Sequence, residues 1–263
     1  MQELIERLLA KERYTMGDLR DIVALLRDPD AGCPWDKVQT HASIRKNFIE
    51  ETYEVADAID LADAHLLCEE LGDVLLQVAL HTQMEAEQGA FTFDDVCTGI
   101  CKKLIARHPH IFAQSDAQTE TPKRTPDEVL DTWEQIKRRE KHREGLAQDL
   151  ESVPRALPAL MRAQKVAKRA AGHGVSQPDT QAALQALADR AAALQAAAEE
   201  AAAAKADSAG ANEQRRLLGE VLFAAADAAR FLGCDAEEAL GEATERVAEH
   251  LKRTEHPDAS APD

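Results

Sequence analysis

The chain is poor in aromatic residues. Phe, Trp and Tyr make up 4% of its 263 residues, while Ala and Leu are abundant, a balance that favours packed helices over sheets. The period-two alternation of strands is nearly absent. Long apolar runs are also missing, and the N-terminal "MQELIERLLAKER" reads as a charged amphipathic helix, neither a signal peptide nor a membrane anchor. The five cysteines, Cys33, Cys68, Cys97, Cys101 and Cys234, are odd in number and form no C-x-x-C pair, so they read as reduced thiols of a cytoplasmic protein. No G-x-x-x-x-G-K-[ST] motif occurs, which disfavours a phosphate-cradling ATPase loop. Positive charge is scarce: 31 Lys and Arg stand against 48 Asp and Glu, for a formal charge of −17. That acidity argues against nucleic acid or an anionic membrane as partner, while leaving room for a local basic pocket.

What is present is helix, almost end to end. Periodicity predicts helices over 2–13, 15–27, 41–62, 64–88, 93–107, 126–143, 155–171, 179–206, 211–232 and 235–253. Loops are marked at 27–36, 108–122 and 172–179 by Pro, Gly and Asp. The segment 182–204 is close to pure Ala, Leu, Gln and Glu, a ready helix former with little chemistry. "ELGDVLLQVALHTQ" (70–83) shares the pattern Leu-Gly-acid-Val-Leu with "LLGEVLFAAADAAR" (217–230). Two readings are open: a tandem repeat of one helical unit, or a coincidence between amphipathic helices. The first predicts an all-α chain of two bundle units, 1–145 and 146–263, the second copy altered.

The chemistry concentrates in "FIEETYEVADAID" (48–60). At helical spacing Phe48, Thr52, Val55, Ala56 and Ile59 form an apolar stripe, and Glu50, Glu51 and Glu54 fall within about a 100° arc on the other side. On the next helix Glu70 and Asp73, three apart, share a face, and the "VLLQVAL" that follows predicts a helix buried nearly all round. Unpaired buried carboxylates are costly, so basic side chains or hard divalent cations must neutralise them. All-oxygen ligation suits Mg²⁺ or Mn²⁺, which also accept phosphate oxygens. A solvated acidic face with ordinary salt bridges is the plainer alternative. A di-iron carboxylate bundle would need Glu-x-x-His pairs, and the chain has none.

A basic counterpart lies downstream. Lys102, Lys103 and Arg107 lie on one predicted helix, with Lys103 and Arg107 four apart on one face. Cations beside a metal-carboxylate cluster make a polyphosphate site; taken alone, they also suit a solvated surface. Trp35 in "GCPWD" could stack on a base or simply pack.

These blocks together resemble the MazG family of nucleoside triphosphate pyrophosphohydrolases, in the all-α NTP pyrophosphatase superfamily. The resemblance rests on "GCPWDKVQTHASIRKNFIEETYEVADAI" (32–59), "EELGDVLLQV" (69–78), "KLIARHPHIF" (103–112), "TWEQIKRREK" (132–141) and "SVPRALPALMRAQKVAKRAA" (152–171). It is strong over 15–172 and faint beyond. It implies a dimeric, Mg²⁺-dependent enzyme that converts an NTP or dNTP to the monophosphate and pyrophosphate, so that attack falls on the α-phosphorus. On this chain Glu51, Glu54, Glu70 and Asp73 resemble the metal ligands, and Glu50 a nearby ligand or the group that orients the attacking water. Lys103 and Arg107 match the triphosphate-binding pair, with Lys37, Lys46, Trp133 and Lys137 as further substrate-binding candidates.

The second copy departs from that pattern. Aligning Gly219 with Gly72 puts Leu217 where Glu70 stands and Glu220 where Asp73 stands. The Ala-rich run keeps Glu199 and Glu200 without a full E-E-x-x-E, and Glu242 stands where relatives often carry a basic residue, although Arg246 remains. The C-terminal unit is therefore expected to be catalytically inactive and to serve packing, dimerisation or regulation. Two other functions stay open on the sequence: a non-catalytic nucleotide-binding helical dimer, and a phosphohydrolase that releases inorganic phosphate.

Overall fold

The structure, a computed structural model, describes residues 1–112, 125, 145–204 and 208–255. Its contacts divide the chain into two units, Met1–Trp133 and Glu134–Asp263. Among the described residues both units are built of helices and connecting turns, with no strand.

The first unit contains α1 (Gln2–Leu9), α2 (Met16–Leu26), a 3₁₀ turn (Asp36–Val38), α3 (Arg45–Asp60), α4 (Ala64–Glu87), α5 (Phe93–Arg107) and the single-turn α6 (Pro109–Phe112). Helix α1 stops at Leu9, short of the predicted 13, because the chain must turn for Thr15 to cap α2. There Thr15 and Asp18 exchange side-chain and backbone hydrogen bonds in a capping box. Helix α3 starts at Arg45 rather than 41, since Thr40 and Ser43 close a turn on each other's amides. Asp63 caps α4 by accepting from the amides of His65 and Leu66, and Thr92 and Asp95 repeat the capping box at α5.

The core of this unit is Val23 of α2, Ile44 at the head of α3, and Ala79, Leu80 and Met84 of α4, with Leu19 and Leu76 packed against them. Arg27, at the end of α2, binds Glu87 at the end of α4 through two parallel bonds of 2.8 Å. It also donates to the carbonyls of Asp36 and Gln39, and so ties the 28–39 loop to the core. That loop turns so tightly that a Cβ on Gly32 would lie 2.4 Å from the Asp28 carbonyl oxygen.

Two expectations need correction. The inward face of α3 carries Ile44, Phe48, Glu51, Val55 and Ala58, rotated by roughly 60° at 100° per residue from the predicted stripe. Ile59 is 58% exposed, Thr52 and Ala56 are exposed, and Ala58 is fully buried. Helix α4 is not buried all round either: its second half is packed, but Leu71 and Leu75 are 46% and 39% exposed.

The second unit contains α7 (Leu146–Glu151), α8 (Ala159–Ala171), α9 (Thr180–Ala204), α10 (Ser208–Leu232) and α11 (Ala236–Glu255). Pro154 and Pro158 delay α8 to Ala159 from the predicted 155. Helices α9 and α10 meet through small residues, with Ala183, Ala224, Ala226 and Ala228 buried. Buried Asp149 holds Arg169 and His173, and Glu237 of α11 caps α8 by accepting from the amides of Leu160 and Met161 at 3.1 Å each. The predicted helix 126–143 lies outside the described residues, and α6 adds a helical turn inside the predicted loop 108–122.

Candidate metal and phosphate site

Helices α3 and α4 pack along most of α3, joined by a tight turn in which Ala62 adopts φ 53°. This pairing carries the half-buried Glu51 to the half-buried Glu70 and Asp73. One carboxylate oxygen from each of the three lies within 4.8 Å of the other two. Oxygens around one octahedral Mg²⁺ lie about 3.0 Å apart when adjacent and about 4.2 Å when opposite, so small side-chain rotations would close these three onto a single ion. The donor set is all oxygen and anionic, as a hard divalent cation requires.

Electrostatics agree with the geometry. Burial pushes the Glu51 carboxyl above its usual range, and a hydrogen bond with Glu54 and the charges of Asp73, Glu54 and Glu70 push the same way. Burial likewise raises Glu70, with Glu54, Asp73 and Glu69 adding to it. The neighbouring carboxylates thus make Glu51 and Glu70 harder to ionise, the state a bound cation relieves.

The other sequence candidates are more dispersed. Glu54 is exposed and stands beside Glu51 as its hydrogen-bond partner, outside the three-oxygen group. Glu50 is also outside it: its carboxylate accepts from Lys46, four residues earlier, at 2.9 Å. Trp35 is 56% exposed, and Lys37 donates to the Pro29 carbonyl at 3.4 Å. Lys102 and Lys103 are exposed on α5 and form no ion pair among the described residues, while Arg107 is half-buried. Trp133 and Lys137 lie outside the described residues.

Sequence reasoning passed over a second constellation on the same helices. His41 and His81 stack with ring centres 5.0 Å apart, their Nδ1 atoms at 2.7 Å, and His41 Nε2 lies 2.7 Å from Glu85. With both rings neutral the protons are fixed: His41 donates from Nε2 to Glu85, His81 donates from Nδ1 to His41, and His81 Nε2 is left as an acceptor. Burial and the neighbouring His41 hold His81 below the usual histidine range. Phe48 meets His81 edge-on at 5.7 Å. Next to these residues opens a cleft of about 400 Å³ lined mostly by apolar atoms, including Phe48, Val78, Phe91 and Val96. Gln77 is 6% exposed, and its Oε1 has no hydrogen-bond partner among the described residues. The one signal for it in the sequence is a lone amide inside "VLLQVAL".

An all-α fold with half-buried carboxylates from two paired helices defines a candidate divalent-cation site of the polyphosphate-handling kind. Residues 39–112, which hold every residue of the cluster, match the MazG nucleotide pyrophosphohydrolase domain. The nucleoside triphosphate pyrophosphohydrolase of Escherichia coli strain K12 is 42% identical over 237 residues, covering 90% of this chain and 86% of its own. The nucleoside triphosphate pyrophosphohydrolase/pyrophosphatase MazG of Thermotoga maritima is 35% identical over 238 residues, 90% of this chain and 84% of its own. YabN of Bacillus subtilis, an uncharacterized protein, is 47% identical over 163 residues, 62% of this chain and 31% of its own. The chain belongs to the MazG family of nucleoside triphosphate pyrophosphohydrolases.

Proposed function

We propose that this chain hydrolyses nucleoside triphosphates, ribo- or deoxyribo-, to the monophosphate and pyrophosphate in a Mg²⁺-dependent reaction, with Mn²⁺ as a substitute. The observation that carries the reading is the approach of Glu51, Glu70 and Asp73 within 4.8 Å inside the matched domain. In this reading those three carboxylates, joined by Glu54, hold the cation. The bound cation supplies charge neutralisation at the phosphate oxygens and lowers the pKa of a bound water. Water adds to the α-phosphorus, the bond to the pyrophosphate oxygen breaks, and the water's proton passes to a nearby carboxylate. Glu50 orients that water, and Lys46 holds the Glu50 carboxylate. Lys103 and Arg107 bind the β- and γ-phosphates, with Trp35, Lys37, Trp133 and Lys137 contributing from the flanking segments.

The proposal extends to setting and assembly. The chain works as a cytoplasmic homodimer that clears aberrant or surplus nucleotides, without nucleic acid as partner. No helix among the described residues is long and apolar enough to cross a membrane. The second unit, with Leu217 8% exposed where the first has Glu70, serves packing, dimerisation or regulation. Product analysis tests the reading: purified protein is incubated with Mg²⁺ and each NTP and dNTP, and pyrophosphate and phosphate are both assayed. Monophosphate with pyrophosphate is the expected result. Diphosphate with phosphate would make the chain a phosphohydrolase, and binding without turnover would make it the non-catalytic nucleotide-binding dimer.

A further inference from the structure

Helices α3 and α4 are fastened at both ends of their pairing. At one end the Ala62 turn joins them covalently. At the other, His41, which precedes α3, reaches across to α4: its Nδ1 lies 2.7 Å from His81 Nδ1 and its Nε2 lies 2.7 Å from Glu85 Oε1, with the two ring planes 3° apart. His81 donates to His41 and His41 to Glu85, a chain in which each bond has a fixed direction. Phe48 of α3 packs edge-on against the His81 ring beside this clamp. Glu51 follows Phe48 by three residues on the same inward face, about 4.5 Å further along α3, and Asp73 precedes His81 by eight residues, about 12 Å along α4. The carboxylate cluster therefore lies between the covalent turn and the clamp.

What the clamp can decide is the rotation of α3 about its own axis. Glu50, Glu51 and Glu54 share one arc of that helix, and a turn of about 100° would put Glu50 in place of Glu51 on the face that meets Glu70 and Asp73. Burial of Ile44 and Ala58 draws α3 onto α4, but apolar contact is non-directional, and Ile59 stands beside Ala58 as an equally apolar substitute. Hydrogen bonds of fixed length and direction admit one setting. With His41 held to α4 and Phe48 against the His81 ring, Ile44, Phe48 and Glu51 turn inward together. Neither histidine is a member of the carboxylate cluster, so the pair acts on it through the helix.

We propose that His41, His81 and Glu85 are positioning residues of the cation site: their hydrogen-bond chain sets the rotation of α3 that brings Glu51 to Glu70 and Asp73. This rests on the cation reading above and adds the residues that align its ligands.

Binding of Mn²⁺ to the substrate-free protein, followed by loss of the free ion's paramagnetic resonance signal, reads the site without turnover. It is measured on the wild type, His81→Leu, His81→Asn and His41→Leu, together with each melting temperature in EDTA. Leucine at 81 removes the donor to His41, whereas asparagine carries an amide nitrogen on Cγ where histidine carries Nδ1, and can donate in its place. His81→Leu and His41→Leu are expected to weaken Mn²⁺ binding about tenfold, and His81→Asn to stay within about threefold of the wild type. The His41 side chain is 43% exposed, so its replacement keeps the test valid if His81→Leu fails to fold. Wild-type Mn²⁺ affinity in His41→Leu, even with a lowered melting temperature, would make the clamp a purely structural feature and overturn the proposal. An equal loss in His81→Asn and His81→Leu overturns it too, since the restored donor would then count for nothing. A wild type that binds no Mn²⁺ would bring down the cation reading itself.

Discussion

Glu51 occupies the inward face of α3, among Ile44, Phe48, Val55 and Ala58, where an ionised side chain is half removed from water and has no basic ion-pair partner among the described residues. Such a residue weakens the metal-free fold and strengthens the metal-bound one, so its replacement should move two observables in opposite directions. Glu51→Gln is expected to raise the melting temperature in EDTA by about 2–4 °C for each kcal/mol of repulsion removed. The same variant should lose the stabilisation that Mg²⁺ gives the wild type, and its turnover should drop about a hundredfold or more. A melting temperature lower than wild type in EDTA would show that the side chain serves the fold instead. Asp18 behaves in the contrary sense. Its side chain is buried under Lys11 and Thr15, whose hydrogen bonds hold the carboxyl down at about 2 from 3.8. A depressed carboxylate stabilises the fold fully above its unfolded pKa, and that contribution is lost as pH falls through the folded one. Asp18→Asn should therefore melt lower at pH 7 and lose less stability than wild type between about pH 4 and pH 2. At this scale the cluster of five carboxylates was legible from spacing and chemistry, but spacing put Glu50, Glu51 and Glu54 in one arc and did not single out Glu51, the one that lies within 4.8 Å of Glu70 and Asp73. Their orientation was not legible: Ala58 and Ile59 are both apolar, and only the packing against α4 decides which one turns inward.

Most helices were readable within a few residues, since Thr15, Asp63 and Thr92 announce their caps by residue type. The misplaced ends have local causes invisible to periodicity, such as the Thr40–Ser43 turn before α3 and Pro158 before α8. Two turns carry predictions at this scale. Gly32 sits where an added Cβ would meet the carbonyl oxygens of Asp28 and Leu26 at 2.4 and 2.5 Å, backbone atoms of the loop and of the end of α2. Gly32→Ala is expected to cost roughly 2–4 kcal/mol in urea unfolding, because the loop anchored by Arg27 must shift. Ala62 joins α3 to α4 at φ 53°, in the left-handed region that disfavours a Cβ. Ala62→Gly should stabilise the protein by about 0.5 kcal/mol, the relief of that strain less the extra flexibility of glycine in the unfolded chain. A loss of stability would mean that the Ala62 methyl makes contacts worth more than the strain.

For the whole molecule, the question is what covers the apolar surface that the first unit leaves in water. Val96, Ile100 and Leu104 recur every four residues along α5 and are 39%, 49% and 42% exposed. Leu71 and Leu75 show the same pattern on α4, at 46% and 39%. Composition anticipated packed helices, but only the packed chain shows which apolar faces stay open: the core is filled by α2, Ile44 and the second half of α4, leaving these five outside. Each large aliphatic side chain taken out of water contributes about 1.5–3 kcal/mol when fully buried, and a row of them on adjoining helices is more than a small soluble protein leaves bare. A second copy of the chain is the partner that the homodimer reading names. Sedimentation equilibrium is then expected to give a species of twice 28.8 kDa, and Ile100→Glu combined with Leu104→Glu to give 28.8 kDa with the helical circular dichroism intact. The two glutamates would place like charges against each other across a two-fold interface, where they repel and lose solvation. A wild type that sediments as a monomer would remove the homodimer, and a double variant that stays dimeric would move the interface off α5.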